Sequence, residues 1–179
     1  MKYLDQYKEI HKQKAYGTSG DYLVGELIPI ISKDITSLLD FGCGRSNTSN
    51  LLRKELGLPT GEVSRYDPAV EGRDTVPSRS FHTVICTDVL EHIPEEELND
   101  VLVDIWGYAD KQAIFVIAMR EAAAILPNGE NTHCTVQQKE WWEEKLRTVF
   151  DSVTYLSGPS VPYTTSWFTC DSTSQYQRG

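Results

Sequence analysis

Three short strand-like runs, each ending at or beside an acid, most constrain what this chain can fold into. Ile35–Phe41 (ITSLLDF) carries Asp40 near its end. Glu62–Tyr66 runs into Asp67-Pro68, and Phe81–Thr87 into Asp88. Such runs are too short for helices and read as strands; Ile35–Phe41, an apolar run bounded by Gly42-Cys-Gly44, reads as a buried one. Segments with a helical period alternate with them. Thr48–Leu56 puts Leu51, Leu52 and Leu56 inward and stops at Gly57 and Pro59, an order that ends helices. A further helix is predicted from Pro94: proline suits a first helical position, Glu95–Glu97 suit its positive end, and Leu98, Val101, Leu102 and Ile105 form its apolar stripe. Gln112–Ala118 is a nearly all-apolar strand. Lys139–Phe150 is a helix with Trp142, Leu146, Val149 and Phe150 on one face, and two last strands fall near Ser152–Leu156 and Ser166–Cys170. The alternation predicts an α/β fold, a mostly parallel central sheet with helices on both faces. Ligands of such sheets bind beyond the carboxyl ends of the strands. That rule selects Asp40–Arg45, Asp67 and Asp88–Ile93.

The chain of 179 residues is read as one domain: residues 1–34 as a helical cap or lid, residues 35–179 as the core. Residues 1–20 read as a polar helix followed by the loop Tyr16-Gly-Thr-Ser-Gly20. Leu23, Leu27, Ile30 and Ile31 then share a helix face that Pro29 kinks or shortens. No apolar run approaches the ~18 residues of a membrane span, and the N-terminus has no secretory apolar core. The cysteines, Cys43, Cys86, Cys134 and Cys170, lie far apart with no C-x-x-C pair, so reduced thiols in a cytoplasmic protein are expected rather than a zinc site. The net charge of −9 without a basic run gives strong unaided nucleic-acid binding no support.

The strand ends carry the chemistry. Gly42-Cys43-Gly44 after a strand allows a tight turn and close approach of a ligand to bare backbone. Taken alone, G-x-G is a weak signal and fits an ordinary strand-to-helix turn. Asp67, 27 positions after Asp40, can accept hydrogen bonds from ribose hydroxyls, although an Asp before Pro68 also suits a plain turn. The third strand runs into Asp88-Val-Leu-Glu-His-Ile93.

The combination of Asp40-Phe-Gly-Cys-Gly44, the strand-end Asp67 and Asp88-Val-Leu-Glu-His-Ile93 resembles the class I S-adenosylmethionine-dependent methyltransferases over roughly residues 38–117. Tyr66-Asp-Pro-Ala69, Pro127–His133 and Glu140-Trp-Trp142 add a looser likeness to small phage-encoded members, whose setting would be a host cytoplasm. The resemblance implies a Rossmann-like fold and S-adenosylmethionine as cofactor, with S-adenosylhomocysteine as product. Gly42 and Gly44, with Phe41, would cradle the methionine part, and Asp40 would help its ammonium. Asp67 and Pro68 would hold the ribose. Thr87, Asp88, Val89 and His92 would lie along the cofactor, an acid or amide from residues 72–75 would meet the adenine, and Tyr16 and Thr18 would close over it. Only 20 residues separate Asp67 from Asp88, so the fold is expected to be shortened between the second and fourth family strands.

Methyl transfer is an in-line displacement that depends mainly on alignment. A base is needed only where the acceptor must lose a proton. His133, in a polar loop at the substrate end, is the first candidate. His11 and His82 read as structural or solvated. Trp141 reads as a core or rim residue before a pocket wall, and Tyr163–Trp167 is a further candidate lining. Neither an N-P-P-[YF] motif nor a Pro-Cys nucleophile is present, so a small molecule or nucleotide is the expected acceptor. Two other readings stay open: a non-catalytic protein that binds the cofactor and regulates or scaffolds a partner, and a Rossmann oxidoreductase, whose third glycine is missing here.

Overall fold

The computed structural model describes residues 2–12, 16–156 and 165–172. Six strands form one sheet: β1 (Leu38–Phe41), β2 (Val63–Tyr66), β3 (Phe81–Thr87), β4 (Ala109–Ala118), β5 (Ser152–Leu156) and β6 (Thr165–Asp171). Their spatial order is β2-β1-β3-β4-β6-β5. Neighbours pair in parallel from β2 through β4, and β6 runs antiparallel to both β4 and β5. The sheet is thus mostly parallel, with one reversed strand. Among the described residues no strand lies between β2 and β3.

The helices are α1 (Leu4–Ile10), α2 (Val24–Leu27), α3 (Thr48–Glu55), α4 (Leu98–Tyr108) and α5 (Lys139–Arg147). Side chains alternate across a strand, so each central strand supplies two cores. Leu39, Val84 and Phe115 face one way, where Leu102 and Ile105 of α4 and Trp142 and Leu146 of α5 cover them. Leu38, Ile85 and Ile114 face the other way, against Leu27, Ile31 and Leu52. That two-sided burial is why the strands read as continuous apolar runs.

Several boundaries differ from expectation. The face Leu23–Ile31 is a 3₁₀ turn (Ser19–Leu23) and the single α-turn α2, because Pro29 cannot donate the hydrogen bond a longer helix needs. Helix α4 begins at Leu98 rather than Pro94. Pro94–Glu97 is a separate turn closed by Glu97 N–H to the Pro94 carbonyl at 2.9 Å. Strand β1 begins at Leu38, three residues later than expected. Just before it, Ser37 Oγ accepts the His82 N–H at 2.8 Å and its carbonyl accepts the Thr83 N–H at 3.1 Å, tying β1 to β3. Ser37→Ala is expected to cost about 1 kcal/mol, seen as a lower urea midpoint at unchanged slope.

The topology brings the site together. The chain leaves β1 toward β2 on one side and returns to β3 on the other, so β1 borders the crevice at which such sheets bind ligands. Gly42, Asp67 and Asp88 follow three neighbouring strands.

Candidate functional site

A cavity of about 820 Å³ opens at the carboxyl ends of these strands. Its volume lies within the ~300–1,000 Å³ usual for small-molecule sites. Gly42, Gly44, Asp67, Pro68 and Phe41 form one wall. Thr87, Asp88, Val89, His92 and His133 form another, and Tyr16 and Thr18 border it from the N-terminal segment. Eleven of the twelve predicted cofactor residues, together with His133, therefore share one space.

The glycine turn is tightly held. Gly42 and Cys43 donate N–H bonds to the Tyr66 carbonyl at 2.8 and 3.1 Å. Gly42 has φ 71° and Gly44 φ 50°. A Cβ on Gly42 would lie 2.4 Å from Val89 Cγ2, and one on Gly44 2.6 Å from the Gly17 carbonyl oxygen. Asp67 is buried, and its oxygens are engaged with backbone: Oδ2 accepts the Gly44 N–H and Oδ1 the Ala69 N–H, both at 2.8 Å. It borders the cavity and also braces the glycine turn.

Asp40 is the exception. It lies behind the cavity wall, 2% exposed, rather than among the residues that line it. Burial pushes its carboxyl up to about 7, against the pull of the Arg73 guanidinium and of hydrogen bonding from Ser49. None of residues 72–75 borders the cavity. The reason is local: Asp67 N–H bonds the Arg73 carbonyl at 2.8 Å, and the folded-back Arg73 guanidinium donates to the carbonyls of Gly44 (2.5 Å) and Ser46 (3.1 Å). This stretch supports the glycine turn from beneath.

The N-terminal segment contributes more than the sequence suggested. Tyr7 and His11 both line the cavity. Tyr7 OH donates to the Thr132 carbonyl at 2.7 Å, and His11 packs edge-on to Tyr16 with ring centres 5.0 Å apart. Ser19 Oγ donates to Asp88 Oδ2 at 2.7 Å, and the Gly17 carbonyl accepts the Arg45 N–H at 2.7 Å. Asp21 Oδ1 accepts the Asn47 N–H at 2.6 Å and the Thr48 hydroxyl at 3.2 Å, satisfying donors at the start of α3. Contacts at separations such as 125 residues leave no local signal; only the Tyr/Gly/Ser composition of residues 16–19 pointed here.

Beyond β3, His92 Nδ1 meets the Thr132 carbonyl at 2.9 Å and His133 Nδ1 meets the Arg120 carbonyl at 2.6 Å. A carbonyl can only accept, so each Nδ1 carries the proton. Burial, outweighing the nearby Asp88 charge, lowers the His92 imidazole to about 4. Burial works to raise Asp88, but hydrogen bonding from Ser19 and Glu91 and the nearby imidazoles leave it below the usual carboxylate range. Glu91 is fully buried; burial, then Asp88, raise its carboxyl well above its ordinary value. His82 lies apart, bonded to Thr83 Oγ1 at 3.1 Å. Trp141 packs on the core beside Trp142 and does not line the cavity. Tyr163 and Thr164 lie outside the described residues, and Trp167 is core. All four cysteines are free, Cys134 exposed and the rest buried.

The charge of the cavity is one-sided. Among the described residues, Asp67, Asp88, Glu97, Asp100 and Asp104 border it against one guanidinium, that of Arg120. Such a lining favours a cationic ligand and opposes a polyphosphate. No helix among the described residues is long and apolar enough to cross a membrane.

No protein-family model and no curated protein sequence matches this chain. Solved structures do. Magnesium protoporphyrin IX methyltransferase from Synechocystis PCC 6803, with bound S-adenosylhomocysteine, is 15% identical with a TM-score of 0.55, over 86% of this chain and 81% of that one. A SAM-dependent methyltransferase from Archaeoglobus fulgidus is 16% identical with a TM-score of 0.56, over 86% and 94%. Burkholderia thailandensis 1,6-didemethyltoxoflavin-N1-methyltransferase, with bound 1,6-didemethyltoxoflavin and S-adenosylhomocysteine, is 13% identical with a TM-score of 0.58, over 97% and 85%. This chain shares its fold with these solved methyltransferases; at these identities the likeness speaks for the fold alone.

Proposed function

We propose that this protein binds S-adenosylmethionine in the cavity at the β1–β3 crevice and transfers its methyl group to a small-molecule or nucleotide acceptor, releasing S-adenosylhomocysteine. The observation that carries the reading is the charge of that cavity. S-adenosylmethionine brings a sulfonium and an ammonium but no phosphate, and among the described residues around the cavity the carboxylates outnumber the cationic side chains. A nicotinamide dinucleotide would bring two phosphates to the same acidic walls, so the oxidoreductase reading loses support.

In this reading the bare backbone of Gly42 and Gly44, beside Phe41, receives the methionine part. Asp67, flanked by Pro68, accepts from the ribose through lone pairs its two backbone donors leave free. Asp40 acts from behind, as a charge under the glycine turn. Thr87, Asp88, Val89 and His92 run along the cofactor, and Tyr16 and Thr18 cover it from the N-terminal side. The sulfonium is already a good leaving group, so the protein's task is to align acceptor, methyl carbon and sulfur and to keep water out. Where the acceptor must lose a proton, His133 is the base: its Nδ1–H is held by the Arg120 carbonyl, leaving Nε2 with a lone pair.

Calorimetry with S-adenosylmethionine, S-adenosylhomocysteine and NAD tests the cofactor. Both sulfur compounds are expected to bind and NAD is not; absence of both at millimolar concentration would refute the reading. Asp67→Ala is expected to weaken S-adenosylmethionine at least tenfold, about 1.4 kcal/mol, and unchanged affinity in a folded variant removes Asp67 from the site. Methyl transfer to a panel of small molecules and nucleotides separates an enzyme from a protein that only binds the cofactor.

A further inference from the structure

We propose that Asp88, His92 and His133 form a site for one divalent first-row transition cation, set in the wall of the same cavity. A ligating atom from each lies within 4.8 Å of the other two. Donors ~2.1 Å from a shared cation sit roughly 3–4 Å apart, so shifts on the order of 1 Å close the set.

The surroundings of the two histidines are those of metal ligands. Each Nδ1–H is committed to a backbone carbonyl, Thr132 for His92 and Arg120 for His133. Both imidazoles are thereby fixed in the tautomer whose Nε2 offers a lone pair, with the ring orientation locked. The rings meet edge to face with centres 4.7 Å apart.

Asp88 adds independent support. It is the one non-glycine residue with positive φ among the described residues, at 60°. Backbone in that region costs energy and persists where the fold holds a side chain for a purpose. A carboxylate oxygen of Asp88 lies within 4.8 Å of an imidazole nitrogen of each histidine, and Ser19 Oγ–H fixes Oδ2 at 2.7 Å. Glu91, 0% exposed, anchors Oε1 on the Ala118 N–H at 2.7 Å, and its carboxyl hydrogen-bonds to Asp88.

Two imidazoles and a carboxylate suit Mn²⁺, Fe²⁺, Co²⁺ or Zn²⁺ better than Mg²⁺ or Ca²⁺, which prefer all-oxygen shells. With three protein ligands, further coordination positions open onto the cavity, where water or an oxygen donor of a bound molecule completes the shell. Ligation and proton abstraction use the same Nε2 lone pair of His133, so a bound cation excludes its role as base.

The test is titration of chelator-treated protein with Zn²⁺ and Co²⁺, by calorimetry and by the visible absorption of Co²⁺. One equivalent is expected to bind at micromolar or lower concentration. His92→Gln and His133→Gln are each expected to weaken it at least tenfold, and His82→Gln to leave it unchanged. Asp88→Asn, which removes a charge at constant shape, replaces any histidine variant that circular dichroism shows to be unfolded. No stoichiometric binding at millimolar cation, or equal affinity in the folded ligand variants, overturns the proposal. S-adenosylmethionine affinity on the same preparations is a separate readout: a cation without the cofactor keeps this site and defeats the methyltransferase reading, and the cofactor without a cation does the reverse.

Discussion

Gly44→Ala is expected to lower S-adenosylmethionine affinity about a hundredfold, near 2.8 kcal/mol, with the far-ultraviolet circular dichroism unchanged. Two costs combine. At φ 50° an L-residue carries a left-handed penalty of ~1–2 kcal/mol. Its Cβ would also lie 2.6 Å from the Gly17 carbonyl oxygen and 3.0 Å from the Gly17 Cα. Gly17 cannot simply retreat. The Arg45 N–H bonds its carbonyl at 2.7 Å, and on its other side the position of a Gly17 Cβ lies 2.6 Å from the His11 ring. Relief therefore breaks a hydrogen bond worth about 1 kcal/mol and moves the segment carrying Tyr16 and Thr18 off the cavity. Gly57→Ala is the control. It carries φ 68° with nothing within 4 Å of its Cβ, so it bears the backbone strain alone, away from the cavity, and its cofactor affinity is expected to match the unsubstituted protein. Equal affinities for all three proteins would show that the approach of residue 17 to residue 44 has no part in binding.

The contrast between these glycines shows what was legible in the sequence. The G-x-G turn, the strand-end acids and the Asp88–Ile93 run were visible because each is a local pattern tied to a strand end, and a parallel sheet gathers its strand ends at one side. The central strands were visible because burial on both faces leaves a continuous apolar run. The strut beneath the turn was not. Arg73 lies in a Pro- and charge-rich stretch that reads as loop, and its grip on the carbonyls of residues 44 and 46 exists only once β1 and β2 pair. That Asp40 sits behind the cavity wall was illegible for a related reason. An acid one residue before the end of a buried strand can point out of the strand end or back under it, and side-chain alternation alone does not say how the following turn is braced. Tyr7 and His11 were passed over because α1 is short and polar, and the placement of Tyr7 at the cavity is set by contacts 85 and 125 residues away.

Asp40 also links stability to pH. Its carboxyl, ordinarily near 3.8, is raised to about 7 in the folded protein, chiefly by burial. Between those values the folded state keeps a proton that the unfolded chain has shed. Stability from this group is therefore fully present at low pH and falls as pH rises toward 7. The whole window corresponds to about 4 kcal/mol, and the part between pH 5 and pH 8 to about 3 kcal/mol. Asp40→Asn preserves the shape and removes the titration. Urea unfolding of the two proteins is expected to give similar stabilities near pH 4, and a variant more stable by about 3–4 kcal/mol at pH 8. Glu91 is raised in the same direction, but it is common to both proteins and cancels in the difference. Parallel stability curves across this range would mean that Asp40 stays ionised when folded. It would then rest on the Arg73 guanidinium as a structural pair, and the negative charge under the glycine turn would be permanent rather than tied to pH.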